Sequence, residues 1–273
     1  MNGWPAGDRI GACSAFVSDL LAGEVALVTG GSSGIGLATA VELARYGCSV
    51  VITGRRAERL DNAAARVTEL TGKPCASFVC DVRDTDRIEL VRDAIHDKFG
   101  ALTILVNNAA ANFEMAAERM TNRAFTTVID IDLTGTFNIT RAFVSGMIER
   151  GAGSIVNMIV PDVDRGFPRY SHAGAAKAGV MSLTRSWARE WGPYGIRVNA
   201  LAPHAVPTPG VGEHMYGMAD TSGVFADLID RVPLRRLGTA EEIAAVVLFL
   251  SSSAASWITG VALTVDGGLT LPL

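Results

Sequence analysis

Thr29-Gly-Gly-Ser-Ser-Gly-Ile-Gly36 is the stretch on which the fold turns. It follows directly on a short apolar run, Val25–Thr29, and opens a helical pattern over residues 34–46. In that setting each glycine has its own task. Gly30 permits the tight turn out of the strand, Gly34 lets the backbone approach a pyrophosphate, and Gly36 lets the helix pack closely on the strand. The helix start offers unsatisfied N–H groups and the positive end of its dipole to phosphates. Ser32, Ser33 and Ile35 lie in the same turn and join the glycines as candidate phosphate-cradling residues. A glycine pattern alone is weak evidence; a strand before it and a helix after it make it specific.

The same alternation runs along most of the chain. Short apolar segments at Val25–Thr29, Ser49–Thr53, Cys75–Cys80, Leu102–Val106, Ser154–Met158, Arg197–Leu201 and Ala262–Val265 read as strands. They are rich in Val and Ile, as strands covered on both faces are. Helical patterns lie between them near 34–46, 57–71, 84–99, 121–150, 173–191 and 239–251. The expected fold is α/β: a single doubly wound parallel sheet of seven strands, a Rossmann fold, with helices on both faces. Ligands of such sheets sit beyond the carboxyl ends of the strands, at the switch point. Residues 1–22 are expected to be an N-terminal extension, in which Ala15–Leu21 has the pattern of a short helix, and residues 23–273 one domain. Within that domain, 209–232 is rich in Gly and Met and is expected to be a mobile cover over the substrate pocket.

Composition narrows the class of protein. The chain has 273 residues, 49% of them hydrophobic, with 29 Gly and 10 Pro in no short period, which excludes a disordered or collagen-like chain. Its four cysteines, Cys13, Cys48, Cys75 and Cys80, lack CxxC spacing, so neither a disulfide framework nor a metal site is expected. Mean hydropathy is +0.28, yet the longest hydrophobic run, Ile243–Leu250, has only eight residues. A membrane helix needs roughly 18 or more. A net charge of −4 gives no footprint for nucleic acid. Neither a secretory signal nor a peroxisomal C-terminal address of the Ser-Lys-Leu kind is read at the ends, and a cytoplasmic setting is expected.

The TGxxxGxG spacing resembles that of the short-chain dehydrogenase/reductase family, and the similarity extends over nearly all of residues 24–268. Asn107-Asn-Ala-Ala110 resembles the family's NNAG, Asp81-Val82 its adenine-contacting pair, and Val265-Asp-Gly-Gly268 its C-terminal segment. The resemblance implies a nicotinamide cofactor, with Asp81, Val82, Asn108, Ala109, Lys177, Pro203 and Thr208 added to the binding residues. The end of the second strand indicates which dinucleotide. NAD enzymes place a carboxylate there for the ribose 2′-OH. Here the position is Gly54, followed by Arg55 and Arg56, whose guanidinium groups suit a 2′-phosphate. The expected cofactor is NADP(H).

In the catalytic half the chain departs from the family. Most members carry Ser…Tyr-x-x-x-Lys. Lys177 stands at the lysine, but Ala173 takes the tyrosine position and the serine position falls at or near Val160. The family's helical asparagine matches Asp132. One branch, the 2,4-dienoyl-CoA reductases and particularly the peroxisomal type, tolerates these losses. The chain resembles that branch in Asn107–Phe113, Ile129–Asp132, Gly135–Asn138, His172–Lys177, Glu190–Pro193 and Ile196–Asn199. By that resemblance Lys177 anchors the nicotinamide ribose, and Asp132 with Lys177 orients a water. The substrate is an acyl thioester, with Asn112 and Phe113 near the acyl group and Arg83 near CoA phosphate. Tyr170 is a possible substitute acid, and Asp162 and Asp164 lie within reach of the site. His172, five residues before Lys177, is expected in a core or capping role rather than a catalytic one. The family's Pro-Gly reads Pro203-His204 here, so His204 narrows the pocket or donates to substrate.

Two other readings stay open at this point: a ketoreductase or alcohol dehydrogenase that uses Tyr170 or His204 as its acid, and a non-catalytic NADP-binding protein. A homotetramer, or else a dimer, is expected from the family resemblance and from helix 239–250, apolar almost all round.

Overall fold

A computed structural model describes residues 17–164, 166–209 and 222–271. Seven parallel strands form one sheet in the order β3-β2-β1-β4-β5-β6-β7. They are β1 (Val25–Thr29), β2 (Ser49–Gly54), β3 (Cys75–Val79), β4 (Ile104–Asn107), β5 (Gly153–Met158), β6 (Ile196–Pro203) and β7 (Ala262–Val265). The order reverses between β1 and β4, which opens a crevice at their carboxyl ends. Alternate residues of β1 feed two cores. Ala26 and Val28 face helices α1 (Gly34–Arg45), α2 (Ala57–Thr71) and α8 (Ala240–Ser251). Val25 and Leu27 face α3 (Thr85–Phe99), α5 (Gly135–Arg150) and α6 (Ser171–Trp191).

Local chemistry sets the helix ends. Asp84 caps α3 by accepting the Arg87 N–H at 3.0 Å, and Thr239 and Glu242 form a reciprocal capping box on α8. Gly72 and Gly151, at φ 68° and 71°, end α2 and α5 in the left-handed conformation that glycine adopts without strain.

Three sequence expectations need correction, and a fourth lies partly outside the described residues. The helix expected over 121–150 is three pieces: α4 (Asn122–Ile129), a π-helical turn (Asp130–Thr134) and α5. The extra residue of that turn is anchored by Asp132, whose carboxylate leaves the helix surface to take the Ala111 N–H. Within 209–232, residues 210–221 lie outside the described ones, while Ser222–Arg231 is a helix, α7, hidden from a composition-based reading. Helix α6 begins at Ser171, so Tyr170 precedes it and does not share a helical face with Lys177. Of the N-terminal extension, 1–16 fall outside the described residues. The rest forms turns, and Leu21 is buried and donates its N–H to the Tyr46 carbonyl at 2.8 Å.

Candidate active site

The glycine turn lies where the sequence places it. Gly30 and Gly34 have φ of 65° and 53°. A Cβ at Gly36 would lie 2.4 Å from the Gly30 carbonyl oxygen and 2.6 Å from Asn108 Nδ2, so the first turn of α1 lies tight against β1 and β4. Thr29, which sequence reasoning left without a role, secures the junction. Its Oγ1 accepts the N–H groups of Asn108 and Ala109 at 2.9 and 3.0 Å, and Asn108 Nδ2 donates to the Thr29 carbonyl at 2.9 Å. Replacing Gly36 by alanine is expected to cost about 1–3 kcal/mol from overpacking against backbone that has nowhere to move. Cofactor binding should be lost with it; thermal melting and fluorescence titration with NADPH check both.

A cleft of about 330 Å³ opens above this turn. Gly30, Ser32 to Gly36, Arg55, Arg56, Asp81, Val82, Asn108, Ala109, Asn112 and Thr208 all line it. Arg59, Thr53, Ile131 and Pro209 line it too and were not foreseen. Arg59 lies in the first turn of α2, just after Arg55 and Arg56. The residues fit a dinucleotide: the turn is closed to any Cβ at Gly36, and Asn112 Oδ1 is buried beside the cleft with no hydrogen-bond partner. Pro203, Lys177 and Asp132 are not among the residues lining the cleft itself.

Arg83 is folded onto Asp81. Its Nε and Nη2 donate to the two carboxylate oxygens at 2.9 and 2.6 Å. That fork holds the Asp81 carboxyl below its ordinary range, against a smaller opposing effect of burial. Arg83 is thus engaged with Asp81, which lines the cleft, and is not itself among the lining residues.

Deeper in, Lys177 Nζ stands 3.3 Å from Asp132 Oδ2, with the two side chains 7% and 1% exposed. Asp132 Oδ1 accepts the Ala111 N–H at 2.7 Å. Burial pushes the Asp132 carboxyl up, while Lys177 and the Ala111 amide pull it back. A buried relay holds the pair in place. Asn107 Nδ2 donates to Thr140 Oγ1 and Asn157 Oδ1 at 2.9 and 2.8 Å, and Asn157 Nδ2 donates to Thr184 Oγ1 at 2.9 Å. Thr140 and Thr136 carry the chain back to the Asp132 carbonyl. β4, β5, α5 and α6 are thereby tied to the π-turn that presents Asp132.

The tyrosine position of the family carries no phenol here, being Ala173. Tyr170 is buried, stacked on Phe167 at 4.6 Å and packed with Val128 and Ala173. Phe113 lies across His172, and His204 is held by its N–H to the Val265 carbonyl at 3.1 Å. The side chains of Asp162 and Asp164 lie outside the described ones.

A doubly wound sheet with a glycine cradle at its switch point, and a buried Lys–Asp pair beside it, defines a nicotinamide-dependent oxidoreductase acting on a small molecule. The chain belongs to the short-chain dehydrogenase/reductase family, and the family described as enoyl-(acyl carrier protein) reductase matches residues 30–270. It is 41% identical over 257 residues to the peroxisomal 2,4-dienoyl-CoA reductase [(3E)-enoyl-CoA-producing] of Danio rerio, covering 94% of this chain and 84% of that protein. It is 40% identical to a probable 2,4-dienoyl-CoA reductase [(2E)-enoyl-CoA-producing] of Bacillus subtilis, over 90% and 96% of the two chains. The crystal structure of a short chain dehydrogenase from Bacillus anthracis superposes with a TM-score of 0.82 at 40% identity, over 92% of this chain and 98% of that one. Among the described residues no helix is long and apolar enough to cross a membrane.

Proposed function

We propose that the protein reduces a C=C bond conjugated to the carbonyl of an acyl thioester, using NADPH. The observation that carries the reading is the buried Asp132–Lys177 pair set beside Ala173, a site with the charged machinery of its family but no phenol at that position. Reducing a ketone demands an acid at the carbonyl oxygen. Reducing a conjugated C=C bond demands instead hydrogen-bond donors at an oxygen that becomes an enolate, and a proton for carbon. NADPH bound in the cleft would supply the hydride.

The chain's own residues take the remaining tasks. Lys177 anchors the cofactor ribose and, with Asp132, orients the water that protonates carbon. Asn112 and Phe113 meet the acyl group, and Thr208 with Pro203 the nicotinamide end. Arg55, Arg56 and Arg59 surround the place of the 2′-phosphate. With a 2,4-dienoyl thioester, hydride enters the far end of the diene and the proton enters next to the thioester, leaving a 3-enoyl product. The names of the Danio rerio and Bacillus subtilis relatives support this substrate class. NADPH oxidation measured against enoyl-, dienoyl- and ketoacyl-CoA panels tests it: turnover of the conjugated thioesters is expected, and activity on ketones alone would overturn it.

The protein is further proposed to be a homotetramer, with a dimer as the smaller alternative, working in the cytoplasm, where thiols such as Cys48, Cys75 and Cys80 stay reduced. In the apolar run Ile243–Leu250 the buried residues Ile243, Val247, Leu248 and Leu250 join the core with α1 and the sheet, while Ala245 is exposed and Val246 and Phe249 are half-buried. The support lies at the edge strand. Trp257 is 98% exposed, and Val261 and Leu263 beside β7 are 40% and 36% exposed. Light scattering at micromolar concentration should give a multiple of the 28.7 kDa chain mass, and Trp257→Glu should lower it.

A further inference from the structure

His172 is a buried polar group that the mechanism above does not use. Its side chain is fully enclosed, and its two ring nitrogens are treated differently. Nδ1 accepts the Ala173 N–H at 2.8 Å, satisfying one of the free donors at the start of α6. An accepting Nδ1 places the proton of the neutral ring on Nε2. That Nε2–H is buried and has no hydrogen-bond partner among the described residues. The ring stands perpendicular to Phe113, at 87° with centroids 4.5 Å apart, so Phe113, itself only partly buried, is the layer over it. Ala111, two residues before Phe113, is the one whose N–H binds Asp132, so the same short segment touches both His172 and the charged pair.

The site therefore lacks a donor at Ala173 and holds an unused donor on the residue before it. We infer that the Nε2–H of His172 is a catalytic hydrogen-bond donor to the thioester oxygen, covered by Phe113 until an acyl group displaces that ring. A donor kept dry in this way loses nothing to competing water and meets negative charge as it develops on the oxygen. The inference rests on the enoyl-thioester reading and adds a residue to it.

Two substitutions divide the ring's functions. In His172→Asn, the side-chain oxygen stands where Nδ1 was and still caps Ala173, but the outer donor is gone. In His172→Gln, the amide nitrogen reaches the position of Nε2 while the cap is lost. Steady-state kinetics with NADPH and 2,4-hexadienoyl-CoA are combined with absorption spectra of that thioester bound with NADP⁺. His172→Asn is expected to lower kcat about a hundredfold with KM nearly unchanged. It should also lose the red shift that a hydrogen-bonded carbonyl gives the bound dienoyl band, while His172→Gln keeps most of the rate and the shift. Wild-type rate and spectrum in His172→Asn would overturn the inference and leave His172 as a cap. Equal loss in both variants would overturn it too, since packing would then account for the effect. A wild type that neither binds nor reduces the thioester would overturn the enoyl reading itself and the inference with it.

Discussion

Lys177→Met is expected to lose about 3–5 kcal/mol of stability at neutral pH, because it strands the Asp132 carboxylate in a site with 1% exposure. The stranded group escapes part of that cost by taking a proton. Its carboxyl is already raised in the folded protein, chiefly by burial, and loss of Lys177 removes the main force pulling it back. The sign of the pH dependence follows. A carboxyl whose folded pKa lies above its unfolded value favours folding most below the unfolded value, and that contribution is lost as pH rises through the folded pKa. The deficit of Lys177→Met should thus be largest at neutral pH and shrink on acidification. Adding Asp132→Asn removes the orphaned charge and should restore most of the stability but none of the activity, which falls about 10²- to 10⁴-fold in either variant. Urea unfolding at several pH values, with NADPH oxidation alongside, checks both. A Lys177→Met deficit that is flat with pH would show that the two groups are not electrostatically paired.

Exchanging Gly54 for Asp and Arg55 for Leu together is expected to reverse the cofactor preference from NADPH to NADH. A Cβ at Gly54 meets Leu60 Cδ2 at 3.5 Å and Ser32 Oγ at 3.8 Å, ordinary contact distances, so the new carboxylate fits the end of β2 without strain. It would accept from a ribose 2′-OH and repel a 2′-phosphate, while the lost arginine removes that phosphate's partner. Each effect changes binding by the amount of a charged hydrogen bond, about 1.5–3 kcal/mol, so the ratio of kcat/KM values should move by at least about a hundredfold. Arg56 and Arg59 still line the cleft and should leave residual NADPH use. A wild type that prefers NADH would show the arginine reading to be wrong.

The cofactor side of the site was legible in the amino acids because its constraints are local. A tight turn, a close helix and an N–H-rich helix start need glycine at particular spacings, and a following strand-and-helix rhythm needs only periodicity. The catalytic side was half legible. Lys177 and Asp132 were identified by resemblance to the family's lysine and helical asparagine, but nothing local told that Asp132 would sit on a π-turn. Tyr170, named as a possible substitute acid, is the residue just before α6 and not part of it, and helix boundaries are the least local feature of such a pattern.

By itself, then, the sequence determined the doubly wound parallel sheet, the glycine turn at its switch point and the alanine at the position of the family's tyrosine. Each depends on the stereochemistry or identity of residues close together in the chain. Only the tertiary structure decided that Asp132, on its π-turn, accepts the Ala111 N–H, that Arg83 closes on Asp81, and that the inner face of the last helix packs on α1. It alone shows that His172 spends one nitrogen on a cap and keeps the other unpaired. Those outcomes depend on what burial brings together from distant segments, as with Asn107 and Asn157, fifty positions apart. A buried polar group takes whichever partner lies within reach, and reach is set by packing.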